Sequence, residues 1–274
     1  MKLAFSSLGC PDFSFEQAIR AAVDYGYQAI GIRMLEGTTD LLGLPDFATG
    51  RAKSRARLKD SGIELLSVST GVRFTSPIES ERNKQLEEAK RYIDLAAELS
   101  SPFVRIFGGP ITPEMDRDFT LANIEAGFRE AAQHAIEQGV TVLLETHDSF
   151  STGKSAREML DRIDHPGAGL IWDILHSFRF GDTFAETVST TRKYIRHVHI
   201  KDSSKFDQNG FDLKLCGEGR LPIAEALRLL DSIGYDGYYE FEWERGWHRE
   251  LVTEDIAFPH FIRYIAELRK SLDA

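Results

Sequence analysis

A chain of 274 residues, 42% of them hydrophobic, can bury one large core, and as an α/β barrel it would be a single domain over 1–274 rather than two. Its net charge of −10, with no block of Lys and Arg, argues against a nucleic-acid partner, and no apolar run nears the roughly 18 residues of a membrane span. Cys10 and Cys216 are too few and too far apart for a disulfide framework, and the apolar stretch of MKLAFSSLGC is too short for a signal peptide, so a reduced, cytoplasmic setting is expected.

Short β-rich runs alternate with longer helical periods along the whole chain. The first strand is expected at 2–6, and Ser14-Phe15-Glu16-Gln17 then opens a helix with a capping-box pattern that Gly26 ends. Strands follow at 28–33 and 64–69, and Leu86, Ala89, Ile93, Ala96 and Ala97 form the inward stripe of the next long helix. Further strands are expected at 103–107, 141–146, 169–173, 195–200 and 237–242, before a closing helix at 251–271. Eight strands alternating with helices imply a parallel sheet closed as a (β/α)8 TIM barrel. The competing doubly wound open sheet would need a glycine-rich phosphate loop after strand one, and none is present.

Glu145, Asp173, His199 and Glu242 each fall at the end of one of these runs, in TVLLETHD, GLIWDILH, RHVHIKD and YYEFEWE. They are 28, 26 and 43 residues apart, close to one or one and a half βα units, so each can sit at the C-terminal end of its strand, where barrels build active sites. A lone carboxylate there is often a helix cap. Several gathered in one mouth would repel unless a cation neutralised them. Three carboxylates and one imidazole suit one divalent ion, Mn²⁺, Mg²⁺ or Co²⁺, with Zn²⁺ compatible. Glu240, Glu242 and Glu244 share one side of the last strand, and Glu242 lies nearest its C-terminal end.

The segments Leu-Glu-Thr-His-Asp, Trp-Asp-Ile-Leu-His, His-Val-His-Ile-Lys-Asp, Gly-Glu-Gly-Arg-Leu-Pro and Gly-Tyr-Asp-Gly-Tyr-Tyr-Glu-Phe-Glu-Trp-Glu resemble the xylose isomerase-like TIM-barrel proteins, in particular the sugar phosphate isomerase/epimerase group. The resemblance covers nearly the whole chain. It implies that Glu145, Asp173, His199 and Glu242 hold the metal, and that Glu145 and Glu242 serve as base and acid on opposite faces of a sugar or polyhydroxy ketone. The expected reaction removes the proton next to a carbonyl through a metal-stabilised cis-enediolate, giving an epimerase or isomerase. Many relatives are dimers or tetramers, so a homo-oligomer is compatible with the resemblance.

The same resemblance extends to residues around the ligands. His176 completes an Asp-x-x-His pattern that implies a substrate or enediolate contact. His147 stands in a Glu-x-His step similar to that of dehydroshikimate dehydratases, where the histidine is a base, so a metal-dependent dehydratase of a cyclic hydroxy-ketone is the alternative. Lys205 occupies the position where ketose epimerases carry a substrate-binding arginine, with the bidentate fork lost. Arg33, Arg105 and Arg73 lie near strand ends and could take a carboxylate or phosphate of the substrate. Trp172 and Trp247 are expected beside the pocket. A nuclease like endonuclease IV would need histidines from the early strands, and none precedes His134. A non-catalytic sugar-binding role is the remaining alternative.

Overall fold

The structure is a computed structural model and describes residues 1–273. Its strands are β1 (Lys2–Ser6), β2 (Ala29–Ile32), β3 (Glu64–Ser69), β4 (Phe103–Ile106), β5 (Thr141–Glu145), β6 (Ala168–Asp173), β7 (Ile195–Ile200), β8 (Asp202–Phe206), β9 (Phe211–Lys214) and β10 (Tyr238–Phe241). All but β8 and β9 pair in parallel and close into a barrel in the order β1-β10-β7-β6-β5-β4-β3-β2. The helices are α1 (Phe15–Tyr25), α2 (Pro45–Ala48), α3 (Arg51–Ser61), α4 (Glu79–Glu98), α5 (Arg117–Glu137), α6 (Gly153–Ile163), α7 (Ile174–Arg179), α8 (Phe184–Thr191), α9 (Ile223–Ser232) and α10 (Glu254–Asp273). The eight expected strands are therefore the barrel, and no described helix is long and apolar enough to cross a membrane.

Local chemistry explains the boundaries. Ser14 and Gln17 form the reciprocal capping box of α1, and Gly26 ends it at φ 82°, a left-handed turn that costs glycine little. Leu86, Ala89, Ile93 and Ala96 are buried on α4, with Ala97 partly so.

Because strand side chains alternate between faces, one residue in two turns outward to the helices. Ile30, Ile32, Val104, Val142, Leu144, Leu170, Trp172, Val198, Ile200 and Phe241 join the large core beneath the helices. Inside the barrel, Ala4, Ala29, Leu66 and Tyr238 form a small apolar floor with Phe103 against it. Above that floor the inward positions become polar: Arg105 on β4, Glu145 on β5, Asp173 on β6, His197 and His199 on β7, and Glu240 on β10 are all buried.

The antiparallel hairpin β8–β9 was not expected from the sequence. Its residues are mostly polar, and its turn is closed by Asp207, whose N–H donates to the Gly210 carbonyl and whose Oδ1 accepts from the Asn209 N–H. Asp202, the residue that opens it, is buried and accepts from the N–H groups of Ser203, Gly217, Gly219 and Leu221, tying the following loop to the end of β7.

Candidate metal centre

Glu145, Asp173, His199 and Glu242 meet at the C-terminal mouth of the barrel. One ligand-type atom from each lies within 4.8 Å of the others, and all four residues are buried. His199 Nδ1 faces Glu145 Oε1 at 2.9 Å, Glu242 Oε2 at 3.4 Å and Asp173 Oδ2 at 3.9 Å. Asp173 also caps α7, its Oδ1 accepting from the His176 N–H at 2.9 Å, while its Oδ2 accepts no hydrogen bond of good geometry.

Two cations hold this acid cluster together. Arg105 donates from Nη1 to Glu145 Oε2 at 2.7 Å and from Nη2 to the Thr70 carbonyl at 2.8 Å, with its plane over Phe107. Lys201 Nζ stands 2.6 Å from Glu242, 2.5 Å from Glu244 and 2.8 Å from Asp173. One level deeper, His197 Nε2 and Glu240 Oε2 are 2.6 Å apart, and this carboxylate lies 3.8 Å from His199 Nε2.

Burial disfavours each charge, so the pattern of shifts reports which neighbours win. Burial works against the Glu145 carboxylate, yet Arg105 and then His199 hold it well below the usual range. Glu242 is likewise depressed by His199 and Lys201 against the cost of burial. Asp173 goes the other way: burial pushes it up to about 7, and Glu242 and Glu145 add to that shift against Lys201. A divalent ion among these oxygens would reverse the Asp173 shift, because its own charge dominates such a site. The donor set and its burial fit a hard or borderline cation held by Glu145, Asp173, His199 and Glu242, with Lys201 Nζ now 2.8 Å from Asp173 Oδ2.

Residues 19–261 match the family described as Xylose isomerase-like TIM barrel. The chain belongs to that family. Among curated relatives it is 24% identical over 248 residues to a 3-dehydroshikimate dehydratase of Bacillus anthracis, covering 84% of this chain and 85% of that one. Among solved structures it is similar to the IOLI protein with a bound zinc atom, at TM-score 0.86 and 19% identity over 99% of each chain. It is also similar to the D-psicose 3-epimerase of Clostridium cellulolyticum H10, at TM-score 0.82 and 18% identity over 99% of each.

Around the centre of this xylose isomerase-like barrel, His176 is buried on α7, its ring edge-on to His147 at 4.5 Å between centroids. His147 rests against Phe107, and its Nδ1 is 3.1 Å from Asp148 Oδ1. The hairpin reaches over the same side: the Phe211 ring is 5.7 Å from His176, with Lys201 Nζ and Arg179 off its face at 5.8 and 5.1 Å. Arg33 follows β2, and its guanidinium lies over the ring of Trp247, which is half exposed.

Two expectations need correction. Trp172 is not beside the pocket: its indole N–H donates to Ser177 Oγ and its ring meets Phe184 edge-on in the helix layer. Adjacent to inward-facing Asp173 on one strand, it must face the other way. Lys205 is exposed on β8, away from the buried acids, and the lysine among them is Lys201. The sequence did carry a sign of this: the alternation of His197 and His199 on β7 continues to Lys201 just past its end, beside the alternating Glu240, Glu242 and Glu244 on and after β10, where Glu240 pairs with His199.

Proposed function

We propose that this chain is a divalent-metal-dependent isomerase or epimerase of sugars or sugar phosphates, moving a proton at the carbon next to a carbonyl. The observation that carries this reading is the approach of Glu145 and Glu242 to one histidine nitrogen from β5 and from the end of β10, strands separated in the barrel by β6 and β7. Two carboxylates reaching one point from different sides are what proton removal on one face and delivery on another requires. The ion, Mn²⁺, Mg²⁺, Co²⁺ or Zn²⁺, would supply Lewis-acid polarisation of the carbonyl when held by Glu145, Asp173, His199 and Glu242.

The remaining steps belong to the protein. One glutamate would take the proton; a proton carried by the other would then go to the opposite face, which epimerises the centre, or the first would return its proton to the adjacent carbon as a hydroxyl proton passes between the two oxygens, which isomerises the sugar. Lys201, fixed by three carboxylates, and Arg105, fixed on Glu145 and Thr70, keep positive charge where the enediolate charge develops. His176, buried against His147 and Phe211, would contact a substrate hydroxyl in this reading.

The His147–His176 pair, with Asp148 3.1 Å from His147 Nδ1, favours a second reading, a dehydratase with His147 as base. Solvent-deuterium exchange across ketoses, their phosphates, inosose and dehydroshikimate separates the two. Chelator-sensitive exchange without loss of water supports the isomerase. Elimination to a conjugated product supports the dehydratase, and neither exchange nor elimination from the metal-loaded protein would overturn both.

A further inference from the structure

We infer that the mouth takes a polyhydroxy ketone bearing a negatively charged group, a carboxylate or a phosphate, and that the Arg33 guanidinium receives it. This rests on the sugar-ketone reading of the site and narrows its substrate class.

Of the three arginines near the strand ends, Arg105 is committed: both its terminal nitrogens are hydrogen-bonded, one to Glu145 and one to the Thr70 carbonyl. Arg73 is exposed beyond β3. Arg33 differs from both. It follows β2 in phase with Ala29 and Gly31, the inward positions of that strand, and its side chain is only part-exposed. Among the described residues, no carboxylate lies within 4.0 Å of its guanidinium. The Trp247 ring lies 5.5 Å from its Cζ, and no described residue makes a hydrogen bond to the guanidinium nitrogens. Burial and then the like charge of Arg105 lower its pKa to about 10, still protonated at neutral pH.

The surroundings also fix Arg33 and keep its approach clear. Ser7 Oγ accepts from the backbone N–H groups of Arg33 at 2.9 Å and Met34 at 3.2 Å, so the backbone carrying the arginine is held. Across from it stands Gly71, where an added Cβ would meet nothing nearer than Arg33 Nη2 at 4.0 Å. A half-buried cation without an acid, with an open edge, is arranged for an anion that arrives with the substrate, and a planar fork suits carboxylate and phosphate alike. Arg179 also lacks an acid within ion-pair distance, but it lies against Phe180 and Phe211 on the hairpin side.

The test is calorimetric titration of the Mn²⁺-loaded protein with inorganic phosphate, with pyruvate as a carboxylate probe and with D-fructose as a neutral control. Wild type is compared with Arg33→Met, Arg33→Lys and Arg179→Met. We expect one of the two anions to bind, with affinity falling at least about tenfold in Arg33→Met and less in Arg33→Lys, and with fructose indifferent to both changes. The anion that responds names the group. Absence of binding by either anion, affinity unchanged in Arg33→Met, or loss confined to Arg179→Met would overturn the inference. Because this readout needs no turnover, a failure of deuterium exchange with Arg33-dependent anion binding intact would count against the proton-transfer chemistry and not against the anion site.

Discussion

Lys201 Nζ lies 2.6 Å from Glu242 Oε2, fully buried, and the same ammonium touches Glu244 and Asp173. Burial works against its charge, but Asp173, Glu242 and Glu244 raise its pKa well above the ordinary lysine range, so it stays protonated. Lys201→Met would leave three carboxylates without that cation. We expect a loss of about 3–5 kcal/mol in urea unfolding of the metal-free protein, partly restored by divalent metal. Unchanged stability would show that these acids do not depend on Lys201.

The two glutamates should respond differently. Glu145→Gln removes the acid from a buried arginine, so it should weaken metal binding and stability together, whereas Glu242→Gln leaves Lys201 with Glu244 and Asp173 and should spare the fold. Metal affinity in each should fall by more than the roughly 10–100-fold typical of losing an outer partner of a ligand. Calorimetric metal titration beside deuterium exchange checks this, and a variant with undiminished turnover would remove that residue from the mechanism.

Both cysteines should be silent in the folded protein. Burial pushes up the Cys10 thiol, helped by Glu254, and burial and Asp202 do the same to Cys216. Iodoacetamide at pH 8 is expected to label neither residue until the chain is unfolded. Because the folded pKa values are raised, the neutral thiols add no penalty below the unfolded value of about 8.5, and stability then falls with rising pH as the unfolded thiols ionise. Rapid labelling of the native protein would contradict the burial.

Gly219→Ala tests the anchor at Asp202. A Cβ there would lie 2.0 Å from Asp202 Oδ1, so the loop must back away from the carboxylate and give up N–H groups now bonded to it. A loss of about 2 kcal/mol is expected, with faster hydrogen exchange in the hairpin β8–β9. Wild-type exchange rates would mean the hairpin holds without this tie.

The barrel was legible because each strand is a short apolar run between helices with clear caps, as at Ser14 and Gly26. The meeting of Glu145, Asp173, His199 and Glu242 followed from one rule, that each ends its strand. The family pattern, six residues beyond His199, points to Lys205, whereas continuing the alternation of His197 and His199 brings Lys201 inward. Trp172 stands next to Asp173 in sequence, and on a strand that puts it on the opposite face of the sheet, against Ser177 and Phe184. The hairpin is hard to read because β8, Asp-Ser-Ser-Lys-Phe, is mostly polar and the Phe-Asp-Leu-Lys alternation of β9 spans only four residues; its turn is Asp207-Gln208-Asn209-Gly210, and Asp202 and aromatic contacts such as Phe206 with Phe178 hold it.

Phe211 gives the rim of this barrel a direction. An eightfold ring of strand ends offers an incoming molecule no preferred orientation, but here one side is roofed by the hairpin above His176 and Lys201, while the side bearing Arg33 and Trp247 stands part open. A ligand lying across the mouth would therefore have a sheltered end and an end facing water. Which of the two carbons flanking the carbonyl comes to rest between Glu145 and Glu242 would then be decided by how the ligand enters, before any bond is broken.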